Sequence, residues 1–390
     1  MNCRFLLNEA FRPGPLYELT EWNQLNSATK ALLAGMYNEQ EIYGVFQPVA
    51  NDTGVTVKVA YKEVALLYVH LKGSAHLPHY FISSGTTKNN ETMARLVLDS
   101  ILEINWAGNF VSGASALTAI YGNAIFENNE MPGYLSELSM KAIRYAWMLD
   151  DIDMRSLATK LYTFNSLTWD SAMRAAFLER YSIKEFLFGD SDHTMKKEFE
   201  VDWYFVEGSE KKGWLSWVRY SKRKMGTLPS GQTYKLYISP LINDLPAVLQ
   251  KSIPILTASD AISFKTGSTL PGLLRPDKLV VYFEYPEALF QTVGLLKQEL
   301  KCYAAQGVPF SAQLDETGFL SHGIDPPGSE VLDAIESGSW RTKIADMLAL
   351  AIIQTKNEKL DWQRSIAFIR AALSTSGIDP KSWTSEDNFN

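Results

Sequence analysis

A seven-residue stretch of strict alternation, TYKLYIS at residues 233–239, constrains the fold more than any other part of the sequence. Side chains of a β-strand point alternately to opposite faces, so Leu236 and Ile238 share one face while Lys235 and Tyr237 share the other. The apolar pair is typical of a face packed on a core. The second pair places a cation beside a phenol. A chain with such a strand needs a sheet that buries one face and carries polar groups on the other.

The rest of the second half repeats short strand patterns, whereas the first half is mainly helical. Apolar residues recur at helical spacing from 131 to 181, and a short strand at 79–85 and a helix at 90–106 are predicted before them. The second half is predicted to contain strands at 200–207, 214–220, 233–239, 261–267 and 278–285, a hairpin at 309–323, and helices at 286–301, 340–354 and 361–374. The predicted fold class is α+β: a mainly helical N-terminal region followed by a mixed or antiparallel sheet flanked by helices.

A polar, glycine-containing stretch, FGDSDHTMKK at 188–197, marks the change between these halves. A chain of 390 residues is long for a single core, so more than one unit is expected. We predict a mainly helical region at 1–192 that docks a partner or a peptide, and an α+β domain at 193–390.

The charge balance bears on possible partners. The net charge is −7 and the isoelectric point about 5.4, which argues against a general nucleic-acid binder, because such proteins usually carry a basic field. One basic run, KKGWLSWVRYSKRK at 211–224, holds six cations and interleaved aromatic residues. Three interpretations of this run are ranked. A hairpin with a solvated outer face comes first, a docking patch for an acidic partner second, and a platform for single-stranded nucleic acid last. We predict no nucleic-acid partner.

Metal, nucleotide and membrane sites lack their usual sequence signatures. His76 and His79 are three positions apart, but Pro78 breaks any helix between them. Cys3 and Cys302 form neither a metal-ligand spacing nor a disulfide framework, and both glycine-rich phosphate-loop patterns are missing. No apolar stretch reaches 18 residues, and the N-terminus lacks the pattern of a secretory signal. We therefore expect a cytoplasmic protein with no metal, no cofactor and no membrane partner, and leave open a signal read by a specialised secretion apparatus.

The second half combines cations and phenols, with almost no acid on the same strand faces. The set is Lys235, Tyr237, Lys265, Arg275, Lys278, Tyr282 and His322. Alternation places Lys278 and Tyr282 on one face of their strand, and Pro276 holds the preceding Arg275 in extended backbone. Each residue has a structural alternative: a solvated sheet face for the cations, a hydrogen-bonded structural role for the histidine. Together they have the composition of an oxyanion or phosphate pocket, and Lys278 is expected to bind phosphate there.

The order of these motifs resembles one known family. The motifs are YKLYISP, FKTGSTLPGLLRPDKLVVYF, QGVPFSAQLDETGFLSHGIDPP and the terminal helices, within residues 200–355. They resemble the type III effector family first described in plant-pathogenic Pseudomonas, whose bacterial relatives occur in thioamitide and class V lanthipeptide gene clusters beside a small kinase. That family is more remotely similar to the phosphothreonine lyases and to the lyase domains of lanthipeptide synthetases. The resemblance implies a phosphothreonine-lyase-like α+β domain.

The resemblance also implies roles for residues at the matching positions. Lys265 matches the base of the lyases, and the residues that match their phosphate-holding groups are Lys235, Arg275 and Tyr282. Tyr237 stands where the lyases have their general-acid histidine, and His322 lies near the place of another phosphate-binding arginine. The general acid therefore stays open between Tyr237, His322 and none.

The predicted reaction is β-elimination of phosphate from phosphoserine or phosphothreonine in a peptide, giving dehydroalanine or dehydrobutyrine. Lys265 would take the Cα proton, Arg275 would grip the phosphate bidentately, and Lys235 would bind it as a point charge. The expected partners are a phosphorylated precursor peptide and a cognate kinase in modified-peptide biosynthesis. Two alternatives remain: an effector-like interaction protein that binds a phosphorylated or acidic partner without catalysis, and an enzyme active only in complex with its kinase.

Overall fold

The computed structural model describes most of the chain, in eight stretches. They are residues 6–34, 40–49, 57–83, 86–127, 133–189, 200–223, 233–324 and 339–385. The strands are β1 (Ala10–Pro13), β2 (Tyr17–Glu21), β3 (Ile42–Pro48), β4 (Lys58–Tyr61), β5 (Ala75–His76), β6 (Leu102–Trp106), β7 (Asn109–Val111), β8 (Trp203–Phe205), β9 (Trp214–Arg219), β10 (Tyr234–Ile238), β11 (Ser263–Gly267), β12 (Leu279–Phe283), β13 (Ala312–Gln313), β14 (Leu320–Ile324), β15 (Ile378–Asp379) and β16 (Thr384–Ser385).

The α-helices surround these strands. They are α1 (Ser27–Ala34), α2 (Lys62–His70), α3 (His79–Ser83), α4 (Thr86–Leu98), α5 (Leu117–Tyr121), α6 (Tyr134–Met148), α7 (Met154–Tyr162), α8 (Ser171–Arg180), α9 (Ile183–Phe188), α10 (Tyr220–Arg223), α11 (Leu245–Ala258), α12 (Leu270–Leu274), α13 (Pro286–Leu300), α14 (Trp340–Asn357) and α15 (Trp362–Ser374). Within the described stretches, none of them has both the length and the apolar character that crossing a membrane requires.

The largest sheet has seven strands, all paired antiparallel, in the order β13-β14-β10-β12-β11-β9-β8. Two smaller antiparallel sheets lie in the first half, in the orders β5-β1-β6-β7 and β2-β3-β4. The mixture of helices with antiparallel sheets fits the predicted α+β class. The predicted pairing of the strands at 200–207 and 214–220 is confirmed by β8 and β9.

Cross-strand register divides the seven-stranded sheet into two faces. Directly opposed residues share a face, so the pairs Leu236–Val281 and Lys235–Tyr282 lie on opposite sides. We call the first side the core face, with Leu236, Ile238, Phe264, Val281 and Phe283. Apolar residues of α11 and α13 cover it. We call the second side the polar face, with Trp214, Lys235, Tyr237, Lys265, Val280 and Tyr282.

A second core lies in the N-terminal region, and the last two helices belong to it. Ile344 and Leu348 of α14 and Phe368 of α15 pack in one apolar cluster with Leu157 and Leu161 of α7. The division into 1–192 and 193–390 stays a prediction, and the packing of α14 on α7 crosses it. As a result, the end of α7 and the start of α14 both lie near the polar face of the sheet.

Two element predictions in the first half are wrong. The strand predicted at 79–85 is the helix α3, whose first turn forms when the amides of Phe81 and Ile82 donate to the Pro78 carbonyl at 3.0 and 3.3 Å. So short an apolar run does not distinguish strand from helix by its period; residues 84–85 lie outside the described residues. The helix predicted at 90–106 ends at Leu98, because Ser100 adopts a left-handed φ of 58° and the chain continues as β6.

The basic run at 211–224 is split by the sheet, and residue 224 lies outside the described residues. Trp217 is buried on the core face and stacks on Phe264 with ring centroids 5.0 Å apart. Trp214 lies on the polar face. The aromatic residues of the run therefore do not form one stacking surface for nucleic-acid bases.

Candidate active site

The polar face brings two of the predicted lysines to one aromatic ring. Lys235 and Tyr282 are direct cross-strand partners, and Lys265 pairs with Val280, two residues before Tyr282. The Lys235 and Lys265 Nζ atoms lie 5.4 and 5.3 Å from the Tyr282 ring centroid, within cation–π range. Since the two like charges converge on one ring, this part of the face carries a concentrated positive charge.

Trp214 forms a second aromatic wall that the sequence did not single out as part of the site. Its indole lies 4.1 Å from the Lys265 Nζ, measured to the ring centroid, and 5.1 Å from the Arg275 Cζ. Trp214 faces the site because it pairs with Gly267 on β11, and Gly267, two residues after Lys265, lies on the same face as Lys265. The ring thus links the lysines of the sheet to the arginine that follows α12.

Arg275 is held by a carboxylate two residues away. Its Nε donates to Asp277 Oδ1 at 2.9 Å and its Nη2 to Asp277 Oδ2 at 2.7 Å. Pro276 separates the two residues, and Arg275 has the extended backbone that the sequence predicted, with φ −68° and ψ 151°. The Nε–Nη2 edge is one of the two guanidinium edges that bind oxyanions as a fork, and Asp277 already occupies it. A bidentate grip on phosphate through this edge is therefore not available, and Arg275 has its Nη1 side for a ligand.

Asp277 is buried between two guanidinium groups. Arg341, which is 1% exposed near the start of α14, places its Nη1 2.8 Å from Asp277 Oδ2. Burial alone would raise the pKa of Asp277, but the charges of Arg341 and Arg275 hold it well below its ordinary value. Burial alone would lower the pKa of Arg275, but Asp277 and Tyr162 raise it overall. The cluster keeps a net positive charge because two cations share one carboxylate.

Tyr162 brings the N-terminal region into the site. This last residue of α7 accepts a hydrogen bond from Arg275 Nη2 at 2.5 Å and donates one to Asp277 Oδ2 at 3.3 Å. The Arg275 and Arg341 Cζ atoms lie 4.9 and 4.8 Å from its ring centroid. Burial, followed by the charge of Asp277, raises the pKa of Tyr162, so the phenol stays protonated.

Tyr237 lies on the same face and is buried. It pairs with Val280 on β12 and lines the cavity with Lys235 and Lys265. Gly323 on the neighbouring β14 leaves room beside it: a Cβ there would lie 3.3 Å from Tyr237 Cε2 and 2.8 Å from Trp340 Cδ1. Glycine at this position therefore leaves the space that the side chains of Trp340 and Tyr237 approach from either side.

The structure does not bring His322 to the site. His322 opposes Leu236 across β10 and β14, so it lies on the core face, and its ring packs 5.8 Å from that of Phe290 on α13. Burial lowers the pKa of His322 to about 4, so the imidazole is neutral at pH 7. The sheet separates it from Lys235, which corrects the expectation that His322 could serve as the acid or as a phosphate contact.

Lys278 is also outside the site. The side chain is fully buried, and its Nζ donates to the Pro240 carbonyl at 2.7 Å and to Gln306 Oε1. Burial lowers the pKa of Lys278 to about 7. The Gln306 amide in turn donates to the carbonyls of Asn165 and Leu274 at 2.6 and 3.1 Å. Lys278 therefore ties loops together beneath the site, which corrects the expectation that it binds phosphate.

The cavity at the site is small and is lined by side chains from distant parts of the chain. They are Tyr162, Trp214, Lys235, Tyr237, Lys265, Asp277, Val280, Tyr282 and Ser339. Its volume is about 20 Å³, comparable to one water molecule and smaller than a phosphoryl group. A larger open cleft of about 440 Å³ has two carboxylates, Asp202 and Asp260, and one cation, Arg219, in its lining. The Arg219 guanidinium donates to the carbonyls of Thr257 and Ser259, so the cleft does not have the excess of cations found beside Tyr282.

Metal ligands are not clustered in the described part of the chain: no three His, Cys, Asp or Glu side chains there are arranged to hold a metal ion. The charged groups of the candidate site are instead lysines and arginines with a single carboxylate, a set suited to an oxyanion rather than to a cation.

Comparisons with known proteins give remote structural neighbours. No protein-family model and no curated protein matches the chain in sequence. An effector protein structure from Pseudomonas syringae pv. tomato strain DC3000 aligns with 64% of this chain and 98% of its own, at 13% identity and a TM-score of 0.39. The effector protein from Pseudomonas syringae pv. syringae strain 61 aligns over 65% of this chain and 99% of its own, at 12% identity and a TM-score of 0.35. The type III effector/phosphothreonine lyase OspF from Shigella flexneri aligns over 39% of this chain and 87% of its own, at 12% identity and a TM-score of 0.26.

Proposed function

We propose that the protein is a phosphoserine/phosphothreonine lyase that eliminates phosphate from a peptide and leaves dehydroalanine or dehydrobutyrine. The observation that carries the proposal is the convergence of the Lys235 and Lys265 ammonium groups on the Tyr282 ring, beside Trp214 and Arg275. Cations on a sheet face, walled by aromatic rings, suit a phosphoryl group attached to a peptide.

Phosphate binding is assigned to three groups at the site. Lys235 binds it as a point charge and the Tyr282 hydroxyl as a hydrogen-bond donor. Arg275 contributes from its Nη1 side, because Asp277 holds the opposite edge of its guanidinium. Since Asp277 is neutralised by Arg275 and Arg341, the cluster attracts an oxyanion despite its carboxylate.

Lys265 is assigned as the base. It takes the proton from Cα, the electron pair of that bond forms the Cα–Cβ double bond, and the Cβ–oxygen bond breaks. Phosphate leaves with the electrons of the broken bond. A lysine accepts a proton only in its neutral form, which neighbouring positive charges favour, and Lys235 and Arg275 supply such charges.

Tyr237 is assigned as the acid that protonates the departing phosphate. Of the two side chains considered for this role, it is the one on the polar face, whereas His322 lies on the core face. An ordinary phenol is protonated at neutral pH and can donate. The surrounding cations also stabilise the leaving dianion, so the contribution of Tyr237 is smaller than that of the base.

The biological setting belongs to the proposal as well. Its basis is the resemblance in motif order to the effector family whose relatives are encoded beside a small kinase; such a kinase would supply the phosphorylated precursor peptide. The N-terminal region offers the remaining surface for docking such a peptide or its kinase. Both statements are independent of the chemistry assigned to Lys265, so either of them can be wrong while the assignment of Lys265 as the base still holds.

The test uses the full chain with a phosphothreonine peptide. Mass spectrometry should show a product lighter by one water than the unphosphorylated peptide. Lys265→Ala should lower the elimination rate by about two to four orders of magnitude, the usual contribution of an acid–base group. Lys297→Ala is the matched control, because Lys297 is exposed on α13, which covers the opposite face.

Each outcome is decisive. A product with a free hydroxyl identifies a phosphatase, and a peptide that is bound but stays unaltered both without and with a cognate kinase protein identifies a non-catalytic interaction protein; either result refutes the lyase. Conversion that appears only after addition of a cognate kinase protein supports the lyase and defines the active form as the complex. Full activity of Lys265→Ala removes the base assignment.

A further inference from the structure

We propose that Tyr162 is a positioning residue for Arg275, so that the N-terminal region completes the phosphate-binding side of the site. This inference rests on the proposed function, because it assigns Arg275 a contact with the phosphoryl group. It gives the region before residue 192 a part in the site itself, in addition to the docking role predicted from the sequence.

The backbone around Tyr162 is fixed to the rest of the site. Arg341 Nη2 donates to the Tyr162 carbonyl at 2.7 Å, which ties the end of α7 to the start of α14. Three residues later the Asn165 side-chain amide donates to the carbonyls of Gln306 and Gly307 at 2.7 and 3.0 Å. Finally, the amide of Leu167 donates to the carbonyl of Leu274, the residue before Arg275, at 2.9 Å.

These contacts place the Tyr162 side chain where it can hold a guanidinium in one orientation. The Arg275 Cζ lies 4.9 Å from the Tyr162 ring centroid and 5.1 Å from that of Trp214, so two aromatic rings flank it. The Tyr162 hydroxyl accepts from Arg275 Nη2, and the Asp277 carboxylate holds the Nε and Nη2 atoms. The long arginine side chain is thereby ordered before a ligand arrives, which lowers the entropic cost of binding.

The hydroxyl also satisfies both partners at once. It receives a hydrogen bond from Arg275 and gives one to Asp277 at 3.3 Å, so one group sets the relative position of cation and carboxylate. The Arg341 guanidinium over the same ring, 4.8 Å from its centroid, holds the other side of Asp277. Removal of the hydroxyl alone therefore loosens Arg275, while the ring and both ion pairs remain.

The test substitutes Tyr162→Phe, which keeps the ring. A hydrogen bond to a charged group corresponds to roughly a ten-fold change in affinity or more. We expect KM for the phosphopeptide to rise about ten-fold while kcat changes by less than about three-fold, since the base is untouched. Tyr145→Phe is the control: this tyrosine lies on α6, half exposed, with its ring against Phe164, and both constants should stay at the wild-type values.

Direct binding separates this inference from the lyase proposal. Fluorescence anisotropy of a labelled phosphopeptide should show a Kd about ten-fold higher for Tyr162→Phe than for wild type, whether or not the peptide is converted. The same ratio should hold in a Lys265→Ala background, where turnover does not disturb the measurement. A loss of kcat or of the unfolding midpoint with unchanged KM and Kd would show a merely structural role and overturn the inference. No phosphopeptide binding by wild type would overturn both the inference and the proposed function.

Discussion

Replacement of Asp277 by asparagine should destabilise the protein far more than loss of an ordinary surface charge. Asp277 Oδ2 lies 2.7 Å from Arg275 Nη2 and 2.8 Å from Arg341 Nη1, and the Asp277 and Arg341 side chains are 5% and 1% exposed. In Asp277→Asn the shape is kept, but two guanidinium groups lose their counter-charge. The Arg341 cation is then buried without a carboxylate, and this sets the cost.

The magnitude follows from this burial. Two charges about 4 Å apart interact by about 4 kcal/mol at an effective dielectric constant of about 20. Removal of one partner from a buried ion pair costs about 3–5 kcal/mol, since the remaining charge stays desolvated. The lower end applies, because the asparagine oxygen still accepts a hydrogen bond and Arg275 is 25% exposed to solvent. We therefore expect Asp277→Asn to lower the free energy of unfolding by about 3 kcal/mol.

The assay is urea unfolding followed by tryptophan fluorescence at pH 7. Asp150→Asn is the matched control, because the Asp150 side chain is 90% exposed and lies 3.4 Å from Lys356 Nζ; it should unfold like wild type. A loss below about 1 kcal/mol in Asp277→Asn would place the Arg275–Asp277–Arg341 cluster in the range of surface pairs and refute the reasoning.

The same variant predicts a pH dependence. The pKa of Asp277 is lowered on folding, so its contribution to stability is present above its ordinary value of 3.8 and is lost as the pH falls toward the folded-state pKa. The difference in unfolding free energy between wild type and Asp277→Asn should therefore be constant near neutrality and shrink below about pH 4. A difference that grows on acidification would contradict the sign of the shift.

Two further predictions concern the polar face. Tyr237→Phe should lower the elimination rate by about ten-fold to a hundred-fold, at or below the low end for an acid–base group. His322→Gln, on the opposite face, should leave kcat and KM within a few-fold of wild type. A larger loss of rate in His322→Gln than in Tyr237→Phe would exchange the roles of the two residues. Gly323→Ala should cost about 1–3 kcal/mol in urea unfolding and also slow turnover, because its Cβ would lie 2.8 Å from Trp340 Cδ1 and 3.3 Å from Tyr237 Cε2; wild-type stability and rate would show that this space is not needed.

Alternation predicted the two faces of β10 correctly, and the same rule locates His322. Leu320, His322 and Ile324 are two residues apart on β14, so the histidine shares the face of two apolar residues. That signal was present in the sequence and outweighs the family resemblance that made His322 a candidate for the site. In contrast, the convergence of Lys235 and Lys265 on Tyr282 depends on strand order and register, which alternation within single strands does not specify.

Tyr162 and Arg341 could not be found by local reading. One ends a helix in the first half and the other begins a helix near the C-terminus, and only the packing of α14 on α7 brings them to Asp277. Asp277 is visible two residues after Arg275, yet in sequence it reads as a turn residue after proline. Its burial between two guanidinium groups depends on tertiary packing. The same packing lets Asp277 occupy the Nε–Nη2 edge of Arg275, which the sequence had predicted to bind phosphate.

The most direct test of the central claim follows the Cα proton. A phosphoserine peptide with deuterium at Cα is incubated with the full chain, and the product mass is measured. Abstraction at Cα predicts a dehydroalanine product that has lost both the phosphate and the deuterium, and slower loss from the deuterated peptide than from its hydrogen counterpart where proton removal limits the rate. A product that keeps the deuterium and gains a hydroxyl, or a phosphopeptide recovered unchanged both without and with a cognate kinase protein, would contradict the account.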